Sequence, residues 1–227
     1  MMHSLSSTLF HRVLIPERSR ADRHPTILYI HGRGADEEDL LGLSGALDER
    51  FMSIAVRAPF PFDFGGYTWY EILDATGKPE EKQFVLAYGK LAQFVEDALT
   101  QYPIDPQQLF LFGFSMGAVM SYALALTKPA LFRGVVAHSG YLAEGTQLEY
   151  SWKNVAGRDF FIAHGCSDYT IPVQAARRAR LLLEEASARL TYKEYDFAHQ
   201  IGNESLADIA QWLSQRINPP VENLHAR

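Results

Sequence analysis

The chain has a single cysteine, Cys166, among its 227 residues. That excludes an internal disulfide framework and any cysteine-based metal site. It also lacks an H-E-x-x-H pair and any cysteine/histidine cluster, so no metal is expected. Gly32-Arg33-Gly34 lacks the third glycine of a dinucleotide fingerprint, and no cofactor is expected either. Basic charge is not in excess: the formal net charge is -6. A nucleic-acid binder would need clustered Lys and Arg, so that class is set aside. The densest basic run, Arg177-Arg178 with Arg180, reads as the solvated face of a helix. No apolar stretch approaches the roughly 20 residues that span a bilayer. The start, Met1 to Thr8, has neither the basic head nor the apolar core of a signal peptide. A cytoplasmic location is expected from these two absences. Internal repeats and low-complexity tracts are missing too.

What is present is an ordinary soluble composition, 47% hydrophobic and 21% charged. The length can bury a full core, and one α/β domain over residues 1–227 is expected, with 1–7 and 219–227 as flexible tails. Strand-like runs alternate with helix-like periods along the chain. The strand candidates are Thr8 to Ile15, Thr26 to Ile30, Met52 to Val56, Leu109 to Phe112, Gly134 to His138, Phe160 to Ala163 and Lys193 to Phe197. Between them, Leu40, Leu43 and Leu47 follow the N-cap candidate Asp36. Phe84, Tyr88, Leu91, Val95, Ala98 and Tyr102 mark a long helix from Glu80. Further helices run from Ser115 to before Pro129, from Pro172 to Ala188, and from an Asn203 cap through Leu206, Ile209, Leu213 and Ile217. This alternation predicts a mostly parallel sheet of about seven strands with helices on both faces. The aromatic segment from Phe60 to Tyr70 is too long for a simple connection.

Gly113-Phe114-Ser115-Met116-Gly117 joins a buried strand directly to a helix of Ala, Met and Leu. A G-x-S-x-G match in that setting predicts a nucleophile elbow, with Ser115 in a strained backbone at the positive end of the helix. A serine hydroxyl needs a base in reach, and the base needs a carboxylate to fix its tautomer. The order Ser, acid, His is met by Ser115, Asp168 and His199, each in a loop just past a strand. His138 competes as the base and His225 lies in the tail; His199 follows both serine and acid, just after the last strand. Asp159 and Asp196 compete as the acid; the first opens a strand at the wrong end and the second falls within the last strand. Strand ends on one edge are where an α/β sheet binds its ligand.

An oxyanion needs two N–H donors aimed at one point. Met116 N–H, next to the nucleophile, is the first candidate. Arg33 N–H, in His31-Gly32-Arg33-Gly34, is the second. The Arg33 guanidinium has two readings, a partner for a substrate carboxylate or a solvated side chain. Trp69, Phe64 and Tyr70 either line an acyl or aryl pocket or pack as a local cluster on the sheet. His31 and His164, each beside a glycine at a strand end, read as supports of turn backbone. Cys166 reads as a small buried residue.

The sequence resembles the phospholipase/carboxylesterase family of the α/β-hydrolases, which includes acyl-protein thioesterases and small bacterial carboxylesterases. The likeness rests on Tyr29 to Asp36, Gly113 to Gly117, His138 to Leu142, His164 to Asp168 followed by Ile171-Pro172, and His199-Gln200-Ile201. It implies an α/β-hydrolase fold without a large lid, acting on carboxylic esters or thioesters. By motif it carries over Ser115, Asp168 and His199 as the triad, and Arg33 and Met116 as oxyanion donors. Family members commonly carry Gly before the catalytic histidine, where this chain has Ala198. The segment Gly65 to Glu71 matches only loosely. Dimers are common among such proteins. A small-molecule ester is the expected substrate, a thioester or lysophospholipid the alternative, and a non-catalytic binding protein of the same fold the reading from another class.

Overall fold

The computed structural model describes residues 8–16, 22–74 and 77–217. The expected tails, 1–7 and 219–227, lie outside the described residues. Seven strands form one sheet: β1 (His11–Leu14), β2 (His24–Ile30), β3 (Met52–Val56), β6 (Ile104–Phe114), β7 (Gly134–His138), β8 (Asp159–Gly165) and β9 (Arg189–Tyr195). Their order is β1-β3-β2-β6-β7-β8-β9. Only the β1–β3 pairing is antiparallel; the others are parallel. A separate hairpin, β4 (Phe60–Pro61) with β5 (Tyr67–Thr68), lies inside the aromatic segment.

Alternate side chains of the central strands point to opposite faces, so each face needs its own cover. Leu28, Ile30, Leu109 and Leu111 share one core with α2 (Glu81–Gln101), α3 (Met116–Thr127) and α4 (Gln174–Glu185). Ile27, Tyr29, Phe110 and Phe112 share the other with α1 (Glu37–Leu41) and α5 (Asn203–Ser214). This is the α/β-hydrolase arrangement, with helices on both faces. Helix α2 buries one stripe, Phe84, Ala87, Leu91, Val95 and Ala98. Helix α3 is buried from Met116 through Leu126, which accounts for its apolar residues on every side. Among the described residues no helix is long and apolar enough to cross a membrane.

Asp36 caps α1 as expected, its carboxylate accepting from Glu38 N–H at 3.0 Å. Three local expectations are corrected. Helix α5 is capped at Gly202, whose N–H donates to Ser205 Oγ at 3.1 Å, so Asn203 is the first helical residue. Strand β9 begins at Arg189 and stops at Tyr195, placing Asp196 beyond it. It is an edge strand with half-exposed, partly charged residues, so its apolar signal is weak. Cys166 is exposed, its thiol donating to Glu194 Oε2 at 3.5 Å.

Candidate active site

Strand β6 ends at Phe114 and α3 begins at Met116, leaving one residue for the bend. Ser115 takes it with φ 54° and ψ -121°, a backbone that a side chain rarely adopts. Two small residues make this possible. A Cβ on Gly113 would overlap the Gly117 carbonyl, and one on Gly117 would overlap the Ile30 carbonyl. The bend is anchored by Ser115 N–H, which donates to His138 O at 2.9 Å.

The Ser115 side chain makes no cap hydrogen bond to its own helix. Its Oγ lies 2.9 Å from His199 Nε2, and His199 Nδ1 lies 2.7 Å from Asp168 Oδ2. A carboxylate only accepts, so Nδ1 carries the ring proton and Nε2 accepts from the serine hydroxyl. Asp168 Oδ1 accepts from the N–H groups of Thr170 and Ile171, each at 2.9 Å. The carboxylate is buried, while the His199 side chain keeps 20% of its surface. Ser115, His199 and Asp168 are thus brought together from three strand ends at one edge of the sheet.

The loop of His199 rests on aromatic rings. Phe114 lies 5.0 Å from the His199 ring, and Phe197 stacks between His138 at 5.9 Å and Tyr195 at 5.2 Å. His138, the competing base, is fully buried between the hydroxyls of Ser139 and Ser205, each at 3.0 Å. Burial pushes its pKa down to about 3. Of the competing acids, Asp159 opens β8 at the far end of the sheet and pairs with Arg133, Arg189 and Arg216.

The 31–34 loop runs beside Ser115, since a Cβ on Gly32 would come 3.3 Å from Ser115 Cβ. The loop is tied down around Arg33. Gly34 N–H donates to Tyr67 O and Tyr67 N–H to Ala35 O, joining the loop to β5. His31 Nδ1–H donates to Gly32 O at 2.6 Å, and its Nε2 accepts from Ala58 N–H at 3.0 Å. Among the described residues, the N–H groups of Arg33 and Met116 donate to no protein acceptor. Met116 is the first residue of α3, where no carbonyl stands one turn back to receive it. The Arg33 guanidinium is engaged, donating to Glu71 at 2.8 Å and lying 4.4 Å from the Phe62 ring.

The aromatic candidates do not form a pocket wall. Trp69 and Tyr70 are fully buried in the core against α2 and α3. Trp69 Nε1–H donates to the His31 carbonyl at 2.9 Å, and Tyr70 shares a hydroxyl contact with Tyr141 at 3.0 Å. Phe64 is 91% exposed, beside Phe62 on the hairpin turn. Trp69 braces the end of β2 from below; a large apolar residue before an irregular segment gave no hint of that polar contact. Glu71 as the anchor of Arg33 was equally hidden. Two clefts, of about 450 and 220 Å³, open elsewhere, one beside Tyr150, Trp152 and Leu182 and one beside Trp212 and Lys193. Neither is lined by Ser115, His199 or Asp168.

A mostly parallel sheet carrying a hydrogen-bonded serine, histidine and aspartate at its strand ends defines the α/β-hydrolase class. The family described as Phospholipase/Carboxylesterase matches residues 13–217, and the chain belongs to it. It is similar to the Arabidopsis thaliana "Probable carboxylesterase SOBER1-like", 25% identical over 66% of this chain and 59% of that protein. It is also similar to acyl-protein thioesterase 1 of Saccharomyces cerevisiae, 23% identical over 85% of this chain and 93% of that one. The solved carboxylesterase from Mesorhizobium loti shares the fold, with a TM-score of 0.82 at 21% identity, covering 94% and 98% of the two chains.

Proposed function

We propose that this chain hydrolyses small carboxylic esters through an acyl-enzyme on Ser115. The observation that carries the reading is the continuous chain from Asp168 through His199 to Ser115 Oγ. In the first half-reaction Oγ attacks the ester carbonyl carbon while His199 Nε2 takes its proton. Asp168 holds the tautomer and stabilises the imidazolium that forms. Charge develops on the former carbonyl oxygen, where the N–H groups of Arg33 and Met116 serve as the oxyanion donors. The tetrahedral intermediate collapses, the C–O bond to the alcohol breaks, and His199 returns the proton to the leaving oxygen. Water then repeats the sequence on the acyl-enzyme, releasing the acid and restoring the serine.

The test is turnover of p-nitrophenyl acetate and butyrate with an initial acyl burst. Ser115→Ala is expected to abolish it, and wild-type turnover by that variant would reject the assignment. A thioester or lysophospholipid substrate is the second reading, supported by the thioesterase among the relatives. A chain-length series of esters separates the two, and a steep loss beyond short acyl groups rejects the second.

A further inference from the structure

The catalytic chain does not use His164, yet this residue sits against the carboxylate at its end. We infer that His164 is a positioning residue that holds Asp168 in place for His199. The inference rests on the triad reading given above.

The geometry is specific. His164 is the penultimate residue of β8, four positions before Asp168, and its side chain is fully buried. Its Nε2 lies 2.7 Å from the Ile171 carbonyl and 3.3 Å from Asp168 Oδ2. A carbonyl only accepts, so Nε2 carries the proton and donates to Ile171 O. Nδ1 is buried with no hydrogen-bond partner, so it holds a lone pair and the ring is neutral. Burial pushes the His164 pKa down, in agreement.

That one donor closes the turn that grips the acid. Asp168 N–H donates back to Gly165 O at 3.2 Å, and Thr170 and Ile171 N–H groups hold Oδ1. The Ile171 carbonyl is fastened from the His164 side, by a ring rooted in β8, the strand paired between β7 and the edge strand β9. The edge of that ring also lies 3.3 Å from Oδ2, the oxygen that receives His199 Nδ1–H, without a hydrogen bond to it. Cys166 and Ser167 N–H groups tie the start of the turn to Tyr195 O and Phe197 O, but without His164 its Ile171 end loses this tie to β8 and the carboxylate can rotate away from His199. A displacement of about 1 Å at such a support costs about a hundredfold in rate.

The test compares three variants of the full chain. His164→Gln places an amide N–H near the position of Nε2; His164→Asn is too short to reach Ile171 O; His164→Leu has no donor. Turnover of p-nitrophenyl butyrate is expected to fall about a hundredfold in kcat for Asn and Leu, with KM nearly unchanged. The Gln variant is expected to recover most of that loss. The pH profile of kcat/KM should match wild type in Gln and change shape in Asn and Leu, where the contact of Asp168 with His199 is lost. Independently of turnover, the downfield proton resonance of His199 Nδ1–H should persist in wild type and Gln and vanish in Asn and Leu. Equal kcat, pH profile and resonance across the three variants would overturn the inference, as would Gln behaving like Leu. Wild-type protein that fails to label at Ser115 with a fluorophosphonate would reject the triad reading instead, and the resonance comparison would still decide the role of His164.

Discussion

Gly117 packs against the end of β2 so closely that a methyl group on it would overlap the Ile30 carbonyl oxygen. The contact joins the start of α3 to the strand whose continuation is the 31–34 loop. The bend at Ser115 and the 31–34 loop therefore meet through backbone, with no flexible side chain between them to yield. Gly117→Ala is expected to destabilise the fold on the order of 3 kcal/mol, because overpacking against main chain forces strand and helix apart. Thermal unfolding checks this. Activity measured well below the new midpoint should also fall, since Ser115 and the 31–34 loop would separate.

Asp168→Asn keeps the size of the acid and one carbonyl oxygen for Thr170 and Ile171 N–H. It places an amide NH₂ where His199 Nδ1 needs an acceptor. The imidazole then moves its proton to Nε2 and can no longer take one from Ser115. A loss in kcat of about 10⁴-fold is expected, with the circular dichroism spectrum unchanged. A loss of less than about tenfold would mean that another carboxylate serves His199.

The bend at Ser115 and the meeting of Ser115, His199 and Asp168 were legible because each is written in local chemistry. A strand run, two glycines and an apolar helix around Ser115 announce a sharp bend, and the order of Ser115, Asp168 and His199 matches the order of strand ends. The pocket was not legible, for a physical reason. Trp69 and Tyr70 are aromatic whether they line a cavity or fill a core, and only the three-dimensional path of the 60–80 segment decides which. Strand β9 was misplaced by several residues because an edge strand need not be apolar. Long-range polar contacts, Arg33 with Glu71 and Trp69 with the His31 carbonyl, leave no periodicity to read.

The pairing of Arg33 with Glu71 bears on what Arg33 does. Its guanidinium is occupied by Glu71 and the Phe62 ring, while its main-chain N–H has no protein acceptor among the described residues. Removing an oxyanion donor costs at least about a hundredfold in kcat. Arg33→Ala leaves the N–H in place, so its kcat on p-nitrophenyl acetate is expected to stay within about tenfold of wild type. The exposed ion pair contributes at most about 1 kcal/mol, so the unfolding midpoint should move little. A hundredfold loss would place the guanidinium, and not the N–H, at the reacting atoms.

Acid sensitivity separates the buried histidines from the carboxylates. His138 is buried and its pKa is pushed down from 6.5 to about 3 by desolvation; burial also lowers His31 and His164. Below pH 6.5 His138 takes up a proton in the unfolded chain but not in the folded one, and His31 and His164 take theirs up less readily in the folded chain. Stability therefore falls as pH drops through that range. The held-down carboxylates act lower. Glu194, gripped by Arg177 and then Tyr192, is lowered from 4.5 to about 2. For Asp159, burial pushes upward but Arg189, Arg216 and Arg133 outweigh it and hold it below its ordinary 3.8. Their stabilising contribution is complete above those ordinary values and is lost only as pH falls below them. Between pH 6.5 and 4.5 His138 therefore contributes a rise of stability with pH that Glu194 does not. His138→Gln removes one such group, while its amide can still meet Ser139 and Ser205. Urea unfolding midpoints measured across that window should fall less steeply in the variant than in wild type. The pH profile of kcat/KM should be retained, because His138 makes no hydrogen bond to Ser115 Oγ. An unchanged stability slope would show that His138 takes up its proton in the folded protein as in the unfolded one, and an altered kcat/KM profile would make His138 part of the proton path.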